Sequence, residues 1–124
     1  MSGNEFANYL QQHCTPLGQG KFKGRLYDVG KYPGAVADAN TPQYIHGAIY
    51  LMDEPGSILR TIDDYEGISP TEPQPHEYVR ALIEVEAAHG VVTCWVYLYN
   101  WPVNKLAQIV SGDYLQHLVN RADK

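Results

Sequence analysis

Tyr78-Val79-Arg80-Ala81-Leu82-Ile83-Glu84-Val85-Glu86, then His89-Gly90, then Val91-Val92-Thr93-Cys94-Trp95-Val96-Tyr97-Leu98-Tyr99: this stretch decides the fold. In its first half Val79, Ala81, Ile83 and Val85 recur at every second position, the period of a strand. The second half is rich in β-branched and aromatic residues, which favour a pleated surface. His89-Gly90 between them has the composition of a tight hairpin turn. Two antiparallel strands over 78–86 and 91–99 are therefore expected. Tyr97 and Tyr99 share a face with Trp95, and Tyr78 shares one with Arg80 and Leu82.

Working outward, Ile68 to Pro75 contains three prolines and reads as a loop. Before it, Asp53-Glu54-Pro55-Gly56-Ser57 starts a helix that stops at Gly67, with proline in the first turn. Gln43 to Leu51 reads as a strand, with Ile45, Ile49 and Leu51 on one face and Tyr44, His46, Ala48 and Tyr50 on the other. Neither face is strongly polar, so a strand covered on both sides or wrapped in a small barrel is expected. Gly20 to Val29 is strand-like, Leu17 to Gly20 a turn, and Gly30 and Pro33-Gly34 break regular structure. Asn4 to His13 has Phe6, Tyr9 and Leu10 at helical spacing, with Ser2 or Asn4 as cap. The tail from Val103 to Ala122 is helical in pattern, interrupted at Ser111-Gly112. Strands flanking short helices without a βαβ rhythm indicate α+β: a small mixed or antiparallel, barrel-like sheet with short flanking helices.

The 124 residues suit one domain, residues 1–124. A hydrophobic content of 44% allows a core without disulfide or metal. Ten of the fourteen aromatic residues are Tyr, the one with an apolar body and a polar handle. A net charge of -5 and the absence of basic runs argue against nucleic acid as partner. No apolar stretch approaches the ~20 residues of a membrane span, and no secretory leader is evident, so a cytoplasmic protein without a membrane partner is expected. Cys14 and Cys94 match no metal or redox spacing. The five histidines, His13, His46, His76, His89 and His117, show no ligand spacing, so no metal site is expected. His46 is read as a satisfied core histidine in preference to a cavity residue. No G-x-S-x-G elbow supports a serine triad.

One residue breaks the local pattern. On a wheel of roughly 100° per residue, Ile58, Leu59 and Ile62 form the apolar stripe of the 55–66 helix. Glu66 falls within about 40° of its centre. Asp64 points the opposite way and Asp63 lies at the border. An inward carboxylate at a helix C-terminus meets both burial and an unfavourable dipole, and each raises its pKa. Asp63 and Asp64 add like charge. A carboxyl poised near neutrality can take and return protons. Glu66 is thus a candidate acid/base; the other reading has it exposed, or paired with Arg80 or Arg60.

A set of short motifs runs along the chain in a specific order: Gly24-Arg25-Leu26-Tyr27-Asp28, Tyr32-Pro33-Gly34-Ala35-Val36, Gly47-Ala48-Ile49-Tyr50, Asp63-Asp64-Tyr65-Glu66-Gly67, Tyr78-Val79-Arg80, Trp95-Val96-Tyr97-Leu98-Tyr99 and Ser111-Gly112-Asp113. From about Gly18 to Tyr114 this resembles the γ-glutamylcyclotransferase-like family, which includes the γ-glutamylamine cyclotransferases. The resemblance implies that Glu66, the glutamate before Gly in D-x-Y-E-G, is the catalytic acid/base. It implies a reaction in which the α-amine of a γ-glutamyl group attacks its own γ-carbonyl, releasing an amine and 5-oxoproline. No cofactor is implied. Tyr78 and Tyr97 match substrate-lining tyrosines, and Arg80 is a further candidate for the substrate carboxylate, or pairs with Glu66 or a sheet acid. A Tyr on a strand also serves plain packing.

The family pattern begins with a strand and a Y-G-T-L-like loop whose backbone N–H groups hold substrate. Met1-Ser2-Gly3-Asn4-Glu5-Phe6 resembles the region just after that loop. An upstream start, a short form without activity, or a strand supplied by a partner chain are the open readings. The adjoining sheet edge is expected to be covered by a homodimer contact or by the N-terminal segment. Two functions follow: a cyclotransferase acting on a small γ-glutamyl substrate, or a non-catalytic ligand-binding or oligomerising module of the same fold.

Overall fold

The computed structural model describes residues 3–30, 33–65 and 74–113. Helix α1 (Gly3–His13) leads directly into the long strand β1 (Cys14–Asp28), followed by β2 (Pro33–Ala37), β3 (Tyr44–Met52), helix α2 (Pro55–Tyr65), β4 (Tyr78–Ala87), β5 (Gly90–Tyr99) and the short β6 (Ala107–Ile109). The fold is α+β, and among the described residues every strand pair in the six-stranded sheet is antiparallel.

β1 organises the sheet. Its first part runs beside β3, from Cys14 against Met52 to Lys23 against Tyr44, and Gly20 and Lys21 pair with β4 on the other side. Its last residues pair with β2 on one side, Asp28 opposite Pro33, and with β6 on the other, Leu26 opposite Ile109. A strand that changes partners along its length must bend, so the sheet coils. The coil brings β5 onto β2 without a ladder between them. The Tyr99 ring lies so close to Gly34 that a Cβ there would come within 2.8 Å of it. The Tyr78 hydroxyl ties the same corner by donating to the Pro33 carbonyl at 2.9 Å.

Among the described residues two apolar clusters form the core. Leu26, Ile45 and Ile109 are buried together, with Phe22 and Ala35 against them. Cys14, Ile58 and Ile62 form the other, packed by Tyr9 and Leu10 of α1, Met52 of β3 and Tyr97 of β5. Ile58 is 2% exposed, and burial of such a side chain contributes about 1.5–3 kcal/mol. The α2 stripe thus faces the sheet as the wheel predicts. Ile58 and Ile62 are buried, Leu59 and Asp63 half-buried and Asp64 exposed.

Several elements differ from the sequence reading. Leu17 to Gly20 is not a turn: it lies within β1, with a register shift between Pro16 and Gly18. The bulge accommodates a proline that cannot donate a ladder bond, and Gly18 takes a φ of +113°. Pro33-Gly34 opens β2 instead of breaking structure, because proline is tolerated at a strand's first residue. The hairpin turn is Ala88-His89, one residue earlier than His89-Gly90. That displacement sets Arg80 opposite Tyr97; a turn at His89-Gly90 would have set it opposite Tyr99. Residues Ala107–Ile109, read as helical, pair as β6 with β1, where Ile109 is 2% exposed. Three residues closing against a buried strand outweigh local helical spacing. The tail beyond Asp113, Tyr65's side chain and most of the Ile68–Pro75 loop lie outside the described residues.

β3 is not covered on both faces. Ile45 and Ile49 are buried, but His46, Ala48, Tyr50 and Leu51 are exposed. His46 is therefore a surface residue and not a core histidine. Among the described residues β3 pairs with β1 alone, along one edge.

Candidate functional site

The site is assembled where the C-terminal turn of α2 meets the middle of the β4–β5 hairpin. Arg80 and Tyr97 are cross-strand partners, so their side chains rise from the same face of the sheet. The neighbouring pairs, Tyr78 with Tyr99 and Leu82 with Trp95, extend that face in both directions. α2 lies over it because Ile58 and Ile62 pack into the cluster that includes Tyr97. Asp63, one residue after Ile62, thereby reaches the hairpin.

The Tyr97 hydroxyl donates to Asp63 Oδ1 at 2.6 Å. That length is typical of an O–H···O⁻ bond to an ionised carboxylate, stronger than a neutral pair. Arg80 Nε lies 3.6 Å from the same oxygen, an ion pair with no direct hydrogen bond. The Arg80 guanidinium is also stacked on the Trp95 ring, 4.5 Å from its centroid. The side chains of Asp63 and Arg80 are 20% and 27% exposed, so the pair is partly shielded from water but reachable.

Beside this group is a cavity of about 480 Å³. Tyr97 and Trp95 from β5, Ile62 and Leu59 from α2, Leu10 from α1 and Ile49 from β3 contribute to its wall. The size suits a small-molecule ligand, and a mostly apolar wall with few polar groups is the usual composition of such a site. Cys14 and Cys94 also line it. Burial pushes both thiols up, with Asp53 adding to the effect on Cys14, so neither is an activated nucleophile. Leu17, Leu51 and Trp95 are large apolar residues on the wall that are 40–56% exposed. Among the described residues no three His, Cys, Asp or Glu side chains gather as metal ligands.

Of the residues singled out from sequence, Arg80 and Tyr97 are brought together, through Asp63. Tyr78 sits one strand pair further along the same face, 7% exposed, with its hydroxyl on Pro33 and its ring edge-on to Tyr99 at 5.5 Å. Glu66 lies outside the described residues. The residue that sequence reading left aside is Asp63. Its border position on the helical wheel was the available signal, because a border residue can reach sideways to a neighbouring sheet.

Comparison with known proteins identifies the family. Residues 1–116 match the family described as gamma-glutamyl cyclotransferase, AIG2-like. A Vibrio cholerae protein named for γ-glutamylcyclotransferase is 36% identical over 118 residues, covering 94% of this chain and 89% of that protein. The γ-glutamylaminecyclotransferase of Xenopus laevis is 32% identical over 109 residues, with 68% and 73% covered. The solution structure of YtfP from Escherichia coli superposes with a TM-score of 0.66 at 30% identity, covering 94% of this chain and 88% of that one. The chain belongs to the γ-glutamyl cyclotransferase, AIG2-like family.

Proposed function

We propose that the protein is a γ-glutamyl cyclotransferase that releases 5-oxoproline and an amine from a small γ-glutamyl amine or peptide. Glu66 serves as general acid/base, and Tyr97, Arg80 and Tyr78 contribute to substrate binding. The observation that carries the reading is the half-buried Asp63 carboxylate. It stands three positions before Glu66, already engaged with both Tyr97 and Arg80. Family membership supports the reaction class, and the name of the Xenopus relative supports an amine as leaving group.

In this reaction the substrate's α-ammonium loses a proton to the Glu66 carboxylate. The freed amine then forms a C–N bond to the γ-carbonyl carbon, closing a five-membered lactam. As the original γ-amide C–N bond breaks, that proton passes from Glu66 to the departing nitrogen, and the surplus proton left on the ring nitrogen after attack follows by the same carboxylate, so the products are a neutral lactam and an alkylammonium. One carboxyl group is enough because the two protons are taken and returned in turn. Binding contributes by holding the amine against the carbonyl, which removes the entropy cost of the encounter.

The test is release of 5-oxoproline from γ-glutamyl amines and dipeptides by the wild type and by Glu66→Gln. Loss of the acid/base is expected to lower kcat by about 10²–10⁴-fold. Release that the substitution leaves untouched would remove Glu66 from the mechanism. Tight binding of the same compounds without any release would favour the second function, a non-catalytic ligand-binding module.

A further inference from the structure

The cavity beside the Asp63–Arg80 pair has a wall with a chemistry of its own. Ile49 and Ile62 are buried parts of it. Leu17, Leu51 and Trp95 reach it from β1, β3 and β5 and remain 56%, 56% and 40% exposed. Large apolar side chains held open to solvent around one hollow mark a surface that a ligand or partner covers. Among the described residues no Asp, Glu, Lys or Arg lines the cavity. Its polar side chains there are His46, Tyr50, Thr93, Tyr97 and the two thiols. Charge stops at the border. Tyr97 and Trp95 both line the cavity, and they are the residues through which it adjoins Asp63 and Arg80.

The two ends of a γ-glutamyl amide differ in what they can use of such a wall. The glutamyl head carries an ammonium and a carboxylate, which are costly to bury without polar partners. The chain on the departing nitrogen is the part that an apolar hollow can take, and burying it is favourable in proportion to its apolar area. We propose that the cavity is the leaving-group subsite and that it selects γ-glutamyl amides of primary amines bearing an uncharged alkyl chain. Amides of amino acids and peptides are disfavoured there. The carboxylate of their leaving group would be stripped of water where no described side chain of the wall offers a cation. This rests on the cyclotransferase reading and names the substrate class of that site.

The experiment measures 5-oxoproline release and calorimetric binding for the γ-glutamyl amides of methylamine, butylamine, hexylamine and 6-aminohexanoate. The last matches hexylamine in chain length and ends in a carboxylate. For the wild type, kcat/KM is expected to rise roughly fourfold with each added methylene, or about 60-fold from methyl to butyl. The hexylamide is expected to exceed the aminohexanoate amide by at least about tenfold. Leu51→Arg and Leu17→Arg each place a cation in the wall at a position that is more than half exposed, and the second covers the case in which the first fails to fold. A melting curve is taken for both. Each should shrink the butyl-to-methyl ratio and move the hexylamide-to-aminohexanoate ratio toward or past unity, by roughly tenfold. Turnover that ignores chain length, an aminohexanoate amide as good as the hexylamide, or ratios that folded arginine variants leave unchanged would overturn the proposal. A wild type whose Kd tightens with chain length, with the arginine variants losing that trend, but which releases no 5-oxoproline, would sink the cyclotransferase reading alone and leave the cavity as the site of the chain. Neither release nor chain-dependent binding would overturn both.

Discussion

Gly112→Ala adds a single methyl group and is expected to be among the most damaging small changes in this protein. Gly112 has a φ of +69°, and a Cβ there would run into the Tyr44 carbonyl oxygen. The left-handed conformation alone costs an alanine roughly 1–2 kcal/mol. The clash is with backbone at the start of β3, so no side chain can swing away. Relief requires the 110–113 turn to back off by more than an ångström (an ordinary contact begins at 3.4 Å). That movement breaks the hydrogen bond from His46 N–H to the Gly112 carbonyl, 2.9 Å long. Losing it contributes about 0.5–1.5 kcal/mol more. The sum is about 1.5–3.5 kcal/mol, a large fraction of a small domain's stability. Gly56→Ala is the matched control. Gly56 lies in the first turn of α2 with nothing within 4 Å of its notional Cβ. Alanine there is expected to add up to about 1 kcal/mol through helix propensity and a less disordered unfolded chain. Urea unfolding of the two variants and the wild type gives the comparison. At an m-value of about 1.5 kcal/mol/M, the Gly112→Ala midpoint should fall by roughly 1–2.3 M while that of Gly56→Ala rises slightly. Equal shifts in the two variants, or a Gly112→Ala midpoint like the wild type's, would refute the reasoning.

Ile58→Ala should destabilise the protein by about 2–5 kcal/mol, because a 2% exposed side chain at the base of α2 would leave a void; a thermal melt checks this, and a loss below 1 kcal/mol would mean that α2 is not anchored there. The Asp38 carboxyl is held below its usual range, first by the Asn40 backbone N–H and then by Arg25. Because its folded-state pKa is depressed, its contribution is present above the unfolded value of about 4 and is lost as pH falls through the folded value. Asp38→Asn should therefore flatten the decline of Tm below about pH 4, and a decline as steep as the wild type's would count against that role.

The hairpin was legible because its first strand follows a period of two and its second is dense in β-branched and aromatic residues, a combination that local accidents rarely mimic. The α2 stripe was legible for the corresponding reason at helical period. The long β1 was not, since Pro16, Gly18 and Gly20 each carry the marks of a breaker. Only the bulge, set by pairing with β3, lets them lie in a strand. β6 was hidden because three residues give no period at all. In the site, the shared face of Tyr78, Arg80, Trp95 and Tyr97 followed from strand alternation. The identity of Arg80's neighbour did not, because it depends on where a two-residue turn is centred. Asp63's role depended on how α2 sits over the sheet, which no helical wheel contains.

Among the described residues there are five strand ladders, four of which have β1 as one rail; only β4–β5 lacks it. Detaching β1 therefore dissolves both halves of the sheet at once, and few partial openings can release it. Its inner amides should exchange with solvent at the pace of whole-molecule unfolding, while the outer rails of β3 and β5 trade protons through small local frays. A cleavage within Cys14–Asp28 would consequently cost the molecule its entire scaffold, whereas a nick at Ala88-His89 would leave most of it standing.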